Sequence, residues 1–422
     1  MKKIVIIISF LTGIGHVQAQ TDTLKLSLSE AEQVFLQKNF VLLAQKFNIN
    51  LAEAAVQQAK LWDNPNLQFE INAYNPNGNR IFPLDNGGDP ANPTGGTVTV
   101  TVSQVFNLAR NRSKFVTLTQ TNVELQLASF QDLMRILRYQ LAQTFGNLSS
   151  EQQQLQFLNL QRQQLENLLI GYRAELKLGV VAEYEVTRLE LEQKNADTEI
   201  KNLLDQISQD EATLRILLAN QERTYYIPQI QDQQIILPSL LTLNEKALDN
   251  RTDLKITERQ IAYAKQNLVY QKSMATPRLT IGLNYQSYGS AYPSFYAMQA
   301  GIDLPVKNRN QGNIQAAKIG IEQSSVGQNV VRLQVNQDVN SGYEQLQHAQ
   351  ALRQNFSDDY LRRIEEVYIN ARKNYAARII DLVSFIDKIR AYKDAKMNQI
   401  QLKNSLFQTQ QQLNFVTNSK IF

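Results

Sequence analysis

The side chains that most often carry chemistry are scarce in this sequence. Its 422 residues include no cysteine and two histidines, His16 and His348. Thiolate nucleophiles, thiolate metal sites, a Ser-His-Asp arrangement and a histidine metal cluster are therefore out of reach. Asn86-Gly87-Gly88-Asp89 leads into no helical pattern, as a phosphate-cradling loop must. Asp358, Asp359, Glu365 and Glu366 share a helical stretch with Arg362, Arg363 and Arg372 and read as a solvated ion-pair face. Four other carboxylates sit where long helical patterns reverse: Glu183 and Glu185 within 178–188, Asp381 and Asp387 within 374–387. In a single copy they read equally well as solvated turn residues. The expectation is a protein that is not an enzyme, holds no cofactor and binds no resident metal.

Long helices must carry those turns. No proline falls between Ala109 and Leu178, which allows about 100 Å of helix at about 1.5 Å per residue. Leu155, Leu158, Arg162, Leu165, Leu169, Tyr172 and Leu176 step by three and four, as do Val186, Leu189, Gln193, Ala196, Ile200, Leu203, Ile207, Asp210, Leu214 and Leu217. Ile314, Ala317, Ile321, Val331, Val335 and Gly342 continue the spacing with smaller residues. The polar members of these seams suit helices packed on two sides in a larger tube.

Between the helical stretches lie two hairpin patterns, at about 66–106 and about 278–306. Leu67, Phe69 and Ile71 alternate with Asn66, Gln68 and Glu70, and Val98, Val100 and Val102 alternate with threonines. Leu279, Ile281, Leu283 and Tyr285, then Tyr296, Met298, Ala300 and Ile302, do the same. Strands of roughly ten residues suit a tilted bilayer crossing and a soluble hairpin pair equally. Tyr74, Tyr288, Tyr292 and Phe295 gather near strand ends, where an interfacial aromatic girdle would lie.

Hydrophobic residues make up 43% of the chain and charged residues 19%, with a net charge of +4 and no basic block able to neutralise a row of phosphates. Nucleic acid is not an expected partner. Lys2 and Lys3, an apolar run from Ile4 to Ile14 and Val17-Gln18-Ala19 predict an export signal over 1–19. The rest reads as a duplication, with a first repeat over 20–237 and a second over 238–422. Leu42 and Pro65 match Leu254 and Pro277 at an offset of 212, while Gln104 and Gly179 match Asp303 and Arg378 at 199. The difference falls in a Pro-, Gly- and Asn-rich loop between Phe82 and Gly96.

Leu28-Ser29-Glu30-Ala31, the strand starts Pro65-Asn66-Leu67 and Pro277-Arg278-Leu279, and Leu178-Gly179-Val180-Val181-Ala182-Glu183-Tyr184-Glu185-Val186 resemble the TolC family of outer-membrane efflux proteins. The stretch 304–313, Leu304-Pro305-Val306-Lys307-Asn308-Arg309-Asn310-Gln311-Gly312-Asn313, looks like its CzcC branch of heavy-metal efflux proteins. The resemblance implies a mainly α chain with a small β part. Each of three copies would give four strands to a shared 12-stranded barrel and its helices to a tunnel through the periplasm. It further implies a homotrimer in outer-membrane lipid, a periplasmic adaptor and an inner-membrane pump of the RND type. Such a protein is a passive exit duct for substrates that include heavy-metal cations. Type I secretion, or a secreted coiled-coil structural or adhesion role, are the alternatives. With no cysteine there is no lipidated N-terminus, so the barrel alone would anchor it. The loop 76–96 would face outside. At the gate, Asp387 matches an acidic ring position of the family, and Ser384 stands where a second Asp is usual. Tyr375 and Glu185 match a restraining network, with Ile380 in place of its usual Arg.

Overall fold

A computed structural model of the protein describes residues 23–85, 94–230, 236–287 and 294–422. The expected signal, Asp89 and the tyrosines at 288 and 292 lie outside the described residues. Strand β1 (Thr23–Ser27) leads to α1 (Leu28–Lys38) and α2 (Phe40–Ala59). Next come β2 (Asn66–Ile71), a two-residue ladder of β3 (Tyr74–Asn75) and β4 (Arg80–Ile81), and β5 (Val98–Asn107). Helices α3 (Asn111–Lys177) and α4 (Glu183–Leu217) follow, then β6 (Tyr225–Gln229), α5 (Leu240–Asn250) and α6 (Thr252–Ser273). The chain ends with β7 (Arg278–Ser287), β8 (Ser294–Asp303), α7 (Gln311–Asn355), α8 (Asp358–Ala376) and α9 (Leu382–Thr417). These elements divide between two compact units. One takes the described parts of Met1–Asn39, Gln140–Gln234 and Ala349–Gln408, the other those of Phe40–Tyr139, Ile235–His348 and Thr409–Phe422.

The first long helix is as extended as its missing prolines allow, 67 residues. On α4 the buried residues Val186, Leu189, Leu203, Ile207, Leu214 and Leu217 all fall on the seam read from the sequence. A narrow apolar stripe explains this, because each helix meets neighbours along one line and leaves its flanks to others. The second long stretch departs from expectation: α7 and α8 are separate helices, restarted at Ser357, whose side chain accepts from the Tyr360 amide at 3.3 Å. Also unanticipated is a parallel pairing of β1 with β6, Thr23 opposite Tyr225 through Ser27 opposite Gln229.

Backbone details recur at the sequence offsets. Ser27 and Ser239, 212 residues apart, cap α1 and α5 through bonds from the Glu30 and Thr242 amides. Asn39 and Arg251, at the same offset, break the helical run with φ/ψ of −60/121° and −59/124°. Left-handed residues also come in pairs, Gly179 (φ 70°) with Arg378 (56°) and Ala219 (51°) with Asn418 (45°), each 199 residues apart.

In the unit that carries the sheet, buried charges tie helices together. The Arg251 guanidinium lies 2.5 Å from Asp253 and 2.8 Å from Asp338, and Arg135 reaches Asp132 at 2.8 Å beneath the Phe415 ring. Burial alone would raise the Asp253 pKa. The hydrogen bonds and charge of Arg251 outweigh burial and hold it below the usual carboxylate range.

Candidate functional site

Two places position the residues that matter: a four-stranded sheet and the turns between long helices. The sheet is antiparallel in the order β2-β5-β7-β8, so the two hairpins join through β5 and β7 and the edges β2 and β8 have no neighbour within the chain. Register sorts the side chains by face. Leu67, Val102, Leu283 and Met298 lie in one row across the strands, and Phe69, Val100, Tyr285 and Tyr296 in another. On the opposite face, Gln68, Thr101, Asn284 and Ala297 align, as do Asn66, Ser103, Gly282 and Gln299. The apolar face is not covered: Phe69 is 64% exposed, Met298 77% and Tyr296 77%. A soluble hairpin pair would bury that face, whereas a lipid-facing strand leaves it open.

Of the four aromatic residues expected near strand ends, Tyr74 and Phe295 lie among the described residues. Phe295 pairs with Gln286 and shares the polar face with Glu70 and Thr99, because successive residues of a strand point to opposite sides. Phe295 thus lies on the face opposite the apolar one, whose aromatics include Phe69, Tyr285 and Tyr296, the two tyrosines with ring centroids 5.0 Å apart. Strand parity alone could have identified them. Tyr74 is exposed in the β3–β4 ladder, its hydroxyl 3.0 Å from Asn79 Oδ1.

At the helix reversals the same backbone closure ends each helix. The Val180 amide bonds the Glu175 carbonyl at 2.9 Å and the Ile379 amide bonds that of Asn374 at 2.8 Å, with Gly179 and Arg378 left-handed between. These closures satisfy carbonyls that a helix end leaves free. Both turns rest on one apolar cluster of Leu169, Val186, Leu189, Leu382, Phe385 and Ile386. Tyr375 enters it, stacked on Phe385 at 4.1 Å and on Tyr172 at 6.0 Å.

The candidate gate carboxylates have local roles here. Glu185, in the first turn of α4, accepts from the Ala182 amide at 3.0 Å, and Asp381 caps α9 by accepting from the Ser384 amide at 2.7 Å. The bond from Ser384 holds the Asp381 carboxyl below its ordinary pKa. The Tyr375 hydroxyl is buried without a hydrogen-bond partner, so this conformation does not join it to Glu185. Glu183 and Asp387 are exposed. One turn beyond Asp387, Arg390 pairs with Glu192 of α4. Sequence reading missed the neighbouring pairs Arg162–Asp197 (2.6 Å) and Lys393–Glu199 (2.7 Å), since they depend on which helices lie side by side. Among the described residues, no group of three His, Asp or Glu could hold a metal ion, and no helix is long and apolar enough to cross a membrane.

The described residues thus combine an amphipathic, open-edged sheet of four strands with long helices that reverse in tight turns. The profile of the outer membrane efflux protein family matches residues 243–419. The chain is 19% identical over 391 residues to the cobalt-zinc-cadmium resistance protein CzcC of Cupriavidus metallidurans, spanning 91% of this chain and 88% of that one. Its fold is similar to that of CusC (TM-score 0.71, 17% identity, 93% of this chain and 92% of that chain). It is also similar to VceC of Vibrio cholerae (TM-score 0.71, 14% identity, 94% and 97%). The protein is an outer-membrane efflux channel component and not an enzyme.

Proposed function

We propose that three copies close a 12-stranded barrel in the outer membrane and form a passive exit duct for substrates delivered by a periplasmic adaptor and an inner-membrane pump of the RND type. The observation that carries this reading is the sheet with a bare apolar face and two open edges. In hydrocarbon, unpaired backbone groups cost several kcal/mol each, by the usual estimate of about 2–7 kcal/mol, so the edges must be closed. Four strands are too few to close on themselves. Pairing β8 of one copy with β2 of the next satisfies both edges. The helices beside those edges support it: α2 leaves Phe40, Leu43, Phe47 and Leu51 exposed, and α7 leaves Ile319, Val326, Val330 and Leu333 exposed. The recurring caps and left-handed residues support a duplicated plan over 20–237 and 238–422.

The gate in this reading is the pair of helix reversals, with Glu183, Glu185, Asp381 and Asp387 at the aperture, Ser384 at a partly lost ring position and Tyr375 supporting through its ring. Heavy-metal cations are the proposed substrates, on the likeness to CzcC. The chain has no cysteine and five methionines, so its wall is poor in soft ligands and selectivity rests with the pump. Membrane fractionation tests the assembly: a heat-sensitive trimer band in the outer-membrane fraction is expected, and a soluble monomer after export would refute it. In single-channel recordings Asp387→Ala should weaken cation preference and block by multivalent cations. Unchanged selectivity and block would remove Asp387 from the gate.

A further inference from the structure

The two rims of the sheet differ in charge. At the hairpin rim, Arg80 is matched by Asp85 through two bonds of 2.6 and 2.7 Å, and the segments 86–93 and 288–293 contain no Lys or Arg. The rim next to the helices is different. Lys60 precedes β2, while Arg110, Arg112 and Lys114 follow β5. Lys272 in the last turn of α6 precedes β7 and Arg278 begins it, and Lys307 and Arg309 follow β8. Against these eight basic side chains the same four flanks hold two acidic ones, Asp63 and Asp303. Arg278 pairs with Asp303 at 3.3 Å, and Asp63 accepts from Asn107 at 3.3 Å. Among the described residues, the other seven basic groups have no carboxylate within ion-pair reach.

Apolar side chains alternate with these charges. Leu61, Trp62, Leu108, Leu304 and Val306 are exposed and continue the apolar face past the strand ends. Trp62 meets the Phe106 ring at 6.5 Å, and the Arg112 guanidinium lies 3.8 Å above its own ring. An indole at the edge of an apolar band, beside long cationic side chains that can rest their stems on it, is the composition of a membrane interface. Among the described residues no carboxylate pairs with the other seven groups, which leaves their charge open to an anion outside the chain. We propose that this collar binds the anionic phospholipid headgroups of the leaflet facing the periplasm, and so sets how deep the barrel sits. The proposal rests on the reading that the sheet crosses a bilayer.

Trp62 is the single tryptophan of the chain, so its fluorescence reports on the collar. Full-length protein is reconstituted in vesicles of phosphatidylethanolamine and phosphatidylglycerol, with one lipid at a time brominated near its headgroup end. Brominated phosphatidylglycerol should quench Trp62 roughly twofold or more better than brominated phosphatidylethanolamine at equal mole fraction, since one basic residue near the surface favours an anionic lipid by about fivefold. Lys60→Gln with Lys307→Gln and Arg309→Gln should bring the two lipids toward equality while leaving the Arg112–Trp62 contact in place. Strong and equal quenching in the unsubstituted protein would overturn the lipid preference and leave the bilayer reading standing. No quenching by either lipid would overturn the bilayer reading itself. A preference that survives the triple substitution would remove the collar from the lipid's recognition.

Discussion

The chain reverses after α3 and again after α8, and the two turns share a backbone while differing in side chains. The first places glycine at its left-handed position and the second places Arg378 there. The helix after the first turn starts at Ala182 with no side-chain cap, whereas Asp381 caps the helix after the second. At the matching core position stands Val186 in the first and Phe385 in the second. Unsatisfied carbonyls at a helix end dictate the backbone, but several residue sets can meet that demand. The second turn therefore combines a strained backbone with a stronger cap and a larger aromatic anchor.

That contrast can be broken from either side, with local opening read by native-state hydrogen exchange. The largest effect is expected from Phe385→Ala, which removes a buried ring stacked on Tyr375. It should lower the opening free energy of the second turn by about 3–5 kcal/mol, and Val186→Ala should cost the first turn less. Equal losses would mean that the aromatic stack adds nothing. A smaller, opposite pair probes the backbone. No atom lies near the site where Gly179 would carry a Cβ, so Gly179→Ala should cost only the left-handed penalty, about 1–2 kcal/mol. Arg378→Gly should stabilise the second turn, since its ion pair with Glu175 (3.6 Å) is exposed. A turn loosened by Arg378→Gly would show instead that the side chain anchors it.

The parts of the fold legible in sequence were those set by local periodicity. Stepping apolar residues and absent prolines gave the α4 seam and the length of α3, and alternation gave the two faces of the sheet. The β1–β6 pair was hidden because five-residue strands some 200 positions apart carry no local signal, and Pro228 argues against a strand. The break before α8 had a visible cue in Ser357, an N-cap residue followed by two aspartates, but helical periodicity runs across it. At the candidate gate the positions of the carboxylates were legible and their partners were not. Glu185 and Asp381 turn inward to backbone amides, which depends on how the turn closes. The basic collar was likewise invisible along the chain, because its charges come from four separated flanks that only the sheet brings together.

The halves also differ midway along their helices, and the expected effect is more modest. Glu151 on α3 lies near Asp210 on α4, while the positions 199 residues later are Gln350 and Thr409. Burial, then the Asp210 charge, push the Glu151 carboxyl up to about 7. Because the folded pKa lies above the unfolded value, the native state holds its proton more tightly. Stability is therefore undiminished below the ordinary carboxylate pKa and falls as pH rises from there to about 7. Exchange around 148–155 should quicken between pH 5 and pH 8, by roughly several-fold after correction for intrinsic rates. Glu151→Gln should remove that dependence, and a dependence that persists in the variant would assign it elsewhere.

The smallest effect is expected at Tyr375, and its sign carries the information. Its ring lies between Tyr172 and Phe385, yet its hydroxyl is buried without a partner. The matching position of the first turn is Leu176, which brings no polar atom into the same cluster. An unsatisfied buried hydroxyl loses its water and gains nothing in return, so deleting it should be neutral or stabilising by up to about 1 kcal/mol. Tyr375→Phe should thus leave exchange over 374–389 unchanged or slower, and leave the resting conductance as it is. The outcome differs if the closed channel uses the restraining bond that the family resemblance implies between this tyrosine and a group such as Glu185. The variant would then exchange faster at the second turn and leak. Faster exchange together with a raised resting conductance would place the hydroxyl in a closed-state bond and make the conformation described here, with Glu185 bound to the Ala182 amide, the released one.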